Sequence, residues 1–366
     1  MGRPIGASES VTGSATSFES LLSRVAHKPA PLARLAYLLL ARGESERARE
    51  LCARATALAP DNAEVGTIAA EIFSHNVPGF YFPMVRDSAR NRAYEMALRR
   101  AIQPGCRVLE IGTGTGLLAM MAARAGAAEV VTCESNLAVA AVASEIVARN
   151  GFGDRVRVIA KFSDDLELGV DLAEPADLLV WDALGSNMIG AGALPTIEQA
   201  LRRLIRPNAP SIPARGTVRI ALAEDRESHR RQMHMIEGFD LSPFNRLAAP
   251  HYQISVGDKR LALRSKPGDL FCFDFQSGGP FPEARASVSL SAAGGRVNGI
   301  AQWVCFEMDA EGRYENLPSV GTSSAFAVVF YPLRRPIQMA PGDKVTVGGA
   351  HDRLSLRIWV KVPESS

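Results

Sequence analysis

The chain has 366 residues, 47% of them apolar and 22% charged, with a formal net charge of +2. That is the profile of a globular protein long enough for two or three domains. The balanced charge excludes a general attraction to phosphate polymers or anionic surfaces, so neither a nucleic-acid nor a membrane partner is expected.

No run approaches the roughly 20 apolar residues of a membrane span, and the first residues lack an apolar leader core, so a cytoplasmic protein is expected. The cysteines, Cys52, Cys106, Cys133, Cys272 and Cys305, are scattered, with no CxxC pair and no histidine at ligand spacing. They read as reduced, buried thiols, and no metal is expected.

In chain order, residues 1–17 read as a disordered tail. Residues 18–75 carry apolar positions at helical spacing, broken by Pro29, Pro31, Gly43 and Pro60, which predicts short antiparallel helices. The piece ARLAYLLLARGESERARELCARATALAPDNAEV is similar to one tetratricopeptide repeat, with Gly43 at the turn and small residues at Ala48, Ala53 and Ala57. One repeat cannot bury its own apolar face, so the segment is expected to pack on the next domain or to dock a protein partner.

Residues 76–213 alternate short apolar runs, at 107–111, 129–133, 155–160 and 177–180, with helical patterns, which predicts a doubly wound α/β domain. From 214 to 366 the texture changes to alternating segments such as TVRIALAE, LFCFDF, ASVSLSA and LSLRIWVKV. An antiparallel β-sandwich or barrel domain is expected there.

The stretch VLEIGTGTG at 108–116 carries the chemistry. Strand residues run into Gly112, Gly114 and Gly116 and then into an apolar helix starting at Leu117, and glycines there let the backbone turn sharply and approach a ligand closely. Gly116 falls one position early for the dinucleotide fingerprint. Glu110 would repel a pyrophosphate but suits a ligand with a cationic amine and a sulfonium, which points to S-adenosylmethionine. Glu134, ending the second strand run and followed by Ser135, is placed to accept hydrogen bonds from ribose hydroxyls.

With these motifs the chain resembles the protein arginine methyltransferase family, in its divergent branch with helical extensions before the core. The family's D-x-x-R-N-x-x-Y segment is matched by Asp87, Arg90, Asn91 and Tyr94. The resemblance implies that Arg90 pairs with the cofactor carboxylate, a role suited to a bidentate guanidinium. It also implies that Asp164 lies near the adenine, and that PGFYFPM, with Tyr81 and Phe82, corresponds to an aromatic lid.

For the acceptor, the family uses two glutamates on one loop. Here MIGAGALP fixes the register, so Asp182 takes the first glutamate's place and Ala191 the second's. The family's later His-Trp pair falls at Ser324 and Ala325. Asp182 is therefore the catalytic candidate, with Glu198, Trp303 and His351 as candidate substitutes for the lost groups. The expected activity is N-methylation of a guanidino or amine nitrogen of a protein or small molecule; methylation of another metabolite nucleophile and a catalytically impaired scaffold stay open. Family members pair through an arm on the β domain. No long arm is legible between Pro195 and Arg215, which leaves homodimerisation open.

Overall fold

A computed structural model describes residues 13–75, 77–182 and 185–361. The chain divides into two compact units, Met1–Pro78 and Gly79–Ser366.

In the first unit, α1 (Gly13–Val25), α2 (Pro29–Ala41), α3 (Ser45–Leu58) and α4 (Ala63–Ser74) enclose a core that includes Phe18, Leu32, Leu39, Leu51, Val65 and Ile72. Gly43, at φ +82°, makes the α2–α3 turn, a conformation that a side chain would strain. Asn62 caps α4 by accepting the Val65 amide at 3.0 Å. One point differs from expectation. Helix α1 begins at Gly13, inside the stretch expected to be a tail, because burial of Phe18 gives that helix something to pack on; residues 1–12 lie outside those described. As a single repeat requires, the repeat-like pair does not stand alone, because α1 and α4 help to close a core for it.

The second unit opens with α5 (Tyr81–Arg86) and α6 (Ser88–Ala101). There follow β1 (Arg107–Ile111), α7 (Leu117–Arg124), β2 (Glu129–Cys133), α8 (Leu137–Arg149), β3 (Val156–Ile159), β4 (Leu178–Trp181), α9 (Ala193–Arg203) and the short β5 (Ser211–Ile212). The five strands pair in parallel in the order β3-β2-β1-β4-β5. Strands β1, β2 and β4 are buried almost throughout, as a sheet covered on both faces requires. The order reverses between β1 and β4, the position where doubly wound sheets open a crevice at the carboxyl ends of their strands.

The remainder is antiparallel: β6 (Arg215–Asp225), β7 (Met235–Ile236), β8 (Phe239–Asp240), β9 (Tyr252–Ile254), β10 (Leu261–Leu263), β11 (Gly268–Asp274), β12 (Ala284–Ser291), β13 (Gly295–Glu307), β14 (Arg313–Glu315), β15 (Val328–Met339), β16 (Lys344–His351) and β17 (Leu356–Lys361). A seven-stranded sheet runs β10-β6-β13-β15-β9, with β11 also on β6 and β14 on β13, and a second sheet runs β12-β16-β17. Leu270, Phe271 and Phe273 of one sheet share a core with Leu290, Val347 and Ile358 of the other, and this core is continuous with that of the parallel domain. Trp181, at the end of β4, sits at the joint: its ring meets Phe275 edge-on at 4.6 Å and its Nε1 donates to Ser211 at 3.0 Å.

The thiols depart from expectation at one position. Cys272 is exposed because strand alternation turns Phe271 and Phe273 inward and the residue between them outward. No described helix is long and apolar enough to cross a membrane.

Candidate functional site

The glycine-rich turn leaves β1 and enters α7. Gly112, Gly114 and Gly116 all have positive φ, at 88°, 51° and 77°. The amides of Gly112 and Thr113 both donate to the Cys133 carbonyl at 3.0 Å, which ties the turn to the end of β2. A Cβ at Gly114 would stand 3.3 Å from the Tyr81 ring, and one at Gly116 would stand 3.1 Å from Val147. Leu117 is the first residue of α7.

Two carboxylates flank this turn. Glu134 is buried and accepts the Gly114 amide at 3.1 Å, the Asn136 amide at 3.0 Å and the Tyr81 hydroxyl at 3.3 Å. Burial and this carboxylate together push the Tyr81 phenol up to about 12. Glu110, 1% exposed on β1, has no hydrogen-bond partner on Oε2 among the described residues. Burial pushes its pKa up to about 8, against the pull of the Thr132 hydroxyl and the Arg90 charge. A buried oxygen without a partner is costly unless a ligand completes it.

Arg90 enters from α6, whose first turn Asp87 caps by accepting the Arg90 amide at 3.0 Å. The buried guanidinium is ion-paired with Asp182, which follows β4: Nε donates to Oδ2 at 2.8 Å and Nη2 donates to the same oxygen. Nη1 donates to Asn91 at 2.6 Å, which leaves one N–H on each Nη. Tyr94, one turn further along α6, points its single hydroxyl hydrogen between two acceptors, the Trp181 carbonyl at 2.9 Å and Asp182 Oδ1 at 3.2 Å. Burial pushes the Asp182 carboxyl above its usual range, against the attraction of Arg90. The guanidinium, which burial alone would weaken, is held above its ordinary value by Asp182. The unfilled Glu110 oxygen and the uncommitted Arg90 donors together complement a ligand edge bearing an ammonium and a carboxylate, as an α-amino acid does.

Of the other expected residues, Ser135 and Asp164 are exposed. Asp164 sits on a short 3-10 turn within electrostatic reach of Cys133, hence at the same edge of the sheet. The three candidate substitutes are engaged elsewhere. Glu198 accepts Arg353 at 2.6 Å and the Phe281 amide at 3.3 Å. Trp303 is fully buried and donates to Glu315 at 2.8 Å. His351 is buried edge-on against Phe271 and Phe273, and that burial lowers its pKa.

The β domain closes the site's other side. Asp87 Oδ2 accepts the Tyr314 hydroxyl at 2.7 Å and the Ala325 amide at 3.0 Å, and Tyr314 also meets Ser324 Oγ at 2.7 Å. The loop after β4 is tied to the same domain through Ser186, whose Oγ accepts the Ala327 amide and whose carbonyl accepts Gln302, each at 3.0 Å. Sequence reasoning missed Tyr314. It lies in a three-residue strand with no motif of its own, 227 positions from its partner.

Comparison with known proteins places the chain as follows. Residues 94–206 match the family model for ribosomal protein L11 methyltransferase (PrmA), and residues 8–72 match a tetratricopeptide repeat model. The arginine N(omega)-methyltransferase of Streptomyces achromogenes subsp. streptozoticus is 32% identical over 294 residues, covering 80% of this chain and 81% of that protein. Protein arginine N-methyltransferase 7 of Oryza sativa subsp. indica is 35% identical over 255 residues, covering 63% of this chain but only 35% of the rice protein. In fold, the chain is similar to the Trypanosoma brucei PRMT1 enzyme-prozyme heterotetrameric complex with AdoHcy, with a TM-score of 0.68 and 22% identity, covering 80% of this chain and 96% of that one.

Proposed function

The chain belongs to the arginine N-methyltransferase family, and on that premise we propose that it uses S-adenosylmethionine to methylate a guanidino or amine nitrogen of a small molecule or protein. The observation that carries this reading is the convergence of Glu110, Glu134, Asp182 and Arg90, all buried, on the carboxyl ends of β1, β2 and β4. Arg90 offers its remaining donors to the cofactor carboxylate, Glu110 its unpartnered oxygen to the ammonium, and Glu134 its carboxylate to the ribose, with Ser135, Asp164 and Leu117 along the same edge.

When bound, S-adenosylmethionine supplies an electrophilic methyl group. Transfer is an in-line displacement that demands alignment and exclusion of water more than a strong base. Asp182 provides alignment: Arg90 occupies Oδ2 and Tyr94 takes one site on Oδ1, so acceptor capacity remains on Oδ1 for a nitrogen-bound hydrogen. Alanine at position 191 brings no second carboxylate, so the acceptor cation is met by one fixed charge where the family pattern has two. The match to an enzyme named for arginine, over 80% of this chain and 81% of that protein, supports a guanidino acceptor over other nucleophiles. Calorimetry with S-adenosylmethionine, followed by turnover with L-arginine and arginine peptides, tests the reading; absence of cofactor binding overturns it.

Pairing with a second copy belongs to the same reading. Between β6 and β9 the chain makes an excursion whose residues are almost all exposed, with Phe239 at 71% and Leu247 at 75%. Its base is anchored where Tyr252 donates to the buried Asp225 at 2.7 Å and Arg231 lies over the Tyr252 ring. An apolar surface on an anchored projection is suited to burial against another protein surface.

A further inference from the structure

We propose that Tyr314 is a positioning residue for methyl transfer, acting through Asp87 and the first turn of α6 to hold the Arg90–Asp182 pair in register with the acceptor. The inference rests on the methyltransferase reading above and adds to it a residue that no motif marks.

The hydrogen-bond directions follow from proton counting. A phenol has one hydrogen, and it goes to Oδ2 of Asp87, at 2.7 Å. Ser324 must then donate its own hydrogen to the Tyr314 oxygen, while Ser324 Oγ accepts the Phe326 amide at 3.0 Å. Burial pushes the Tyr314 phenol well above its ordinary range, so it remains a donor across the working pH range. Asp87 therefore receives two hydrogens from the β domain on Oδ2, from Tyr314 and from Ala325, and one from the Arg90 amide on Oδ1. One buried carboxylate thus joins the β-domain loop to the residue that grips Asp182. The ring of Tyr314 is itself fixed, parallel to Phe306 and packed on Phe326.

This connection occupies the loop at Ser324 and Ala325, where the resembling family has its His-Trp pair. Neither replacement side chain reproduces that pair. The phenol from the neighbouring strand joins the same loop junction to α6, giving its hydrogen to Asp87 and accepting one from Ser324. A second tie joins α6 to the same β-hairpin without touching the site: Arg100, at the helix's far end, pairs with Asp309 at 2.7 Å. The two ties allow positioning to be separated from simple docking of the helix.

The experiment compares Tyr314→Phe, which keeps the ring and removes the hydroxyl, with Asp309→Asn, which loosens the remote tie, in the full-length protein. S-adenosylmethionine affinity is measured by calorimetry, kcat and acceptor KM with L-arginine and an arginine peptide, and the Arg90 Nε–H resonance by arginine-labelled NMR. Tyr314→Phe is expected to lower kcat at least tenfold with cofactor affinity within threefold, and to shift or broaden the Arg90 Nε–H signal. Asp309→Asn is expected to leave kcat within twofold and that signal in place. A Tyr314→Phe enzyme with kcat within twofold of the parent, or an equal loss in both variants, overturns the inference. If the unsubstituted protein methylates neither acceptor, the functional reading fails at that point, and an unmoved Arg90 signal in Tyr314→Phe separately overturns the positioning role.

Discussion

Asp182 accepts the Nε–H of Arg90 at 2.8 Å, with both side chains buried. The residue expected to face the acceptor is therefore held by the residue expected to hold the cofactor carboxylate, so on the proposed reading the two subsites share one ion pair. Because both charges are out of water, neither can lose its partner cheaply.

Asp182→Ala is accordingly expected to destabilise the fold by about 3–5 kcal/mol, the usual cost of leaving a buried charge unpaired, and to abolish turnover. Combining it with Arg90→Met should recover much of the stability but none of the activity. Denaturant unfolding of the two single variants and the double variant measures the coupling; additive losses would contradict a tight pair.

Glu134 is held by two backbone amides and the Tyr81 hydroxyl. Glu134→Ala should weaken S-adenosylmethionine tenfold or more, on the order of 1.5–3 kcal/mol for lost charged hydrogen bonds. Calorimetry reads this directly, and an unchanged affinity would remove Glu134 from the ribose subsite.

Glu110 gives the binding a pH signature. Its pKa of about 8 leaves it mostly protonated at neutral pH. An ammonium placed against it favours the ionised form, so binding near pH 7 should release a proton. Affinity should then rise as pH increases from 6 towards 8, by at most about tenfold per unit, and turn down above that as the free ligand's own α-amine, which titrates at about 8, loses its proton. Titrations in buffers of different ionisation enthalpy count the proton, and Glu110→Gln should erase the slope. A flat profile in the unsubstituted protein would argue against an ammonium at Glu110.

The exposed excursion between β6 and β9 predicts self-association. Sedimentation analysis should find a dimer in the unsubstituted chain and a monomer after Phe239→Asp with Leu247→Asp. A parent protein that is monomeric at tens of micromolar would set the pairing aside.

Much of the frame was legible because its physics is local. The β12 segment alternates partly buried and exposed positions along its length, and β11 turns Phe271 and Phe273 inward around Cys272, so period-two patterning announced strands. The three positive-φ glycines had to be glycine, which is why the turn after β1 could be read from its letters. The excursion was not legible: MHMIEGFDLSPFNRL carries as many apolar residues as a buried segment, and only the fold turns them outward. Arg90 and Asp182 were each found by motif, but their pairing lies 92 positions apart, and no periodicity encodes it. Glu198 is a free carboxylate by sequence, but in the fold Arg353, from the β16–β17 turn, engages it.

What defines the enzyme is the atom that receives the methyl group. The most direct measurement is incubation of the full-length protein with isotopically labelled S-adenosylmethionine and either L-arginine or an arginine peptide, followed by fragmentation mass spectrometry of the product. Label is expected on a guanidino nitrogen and lost in Asp182→Ala; label on an oxygen, carbon or non-guanidino nitrogen, or no transfer despite tight cofactor binding, would rule out guanidino methylation.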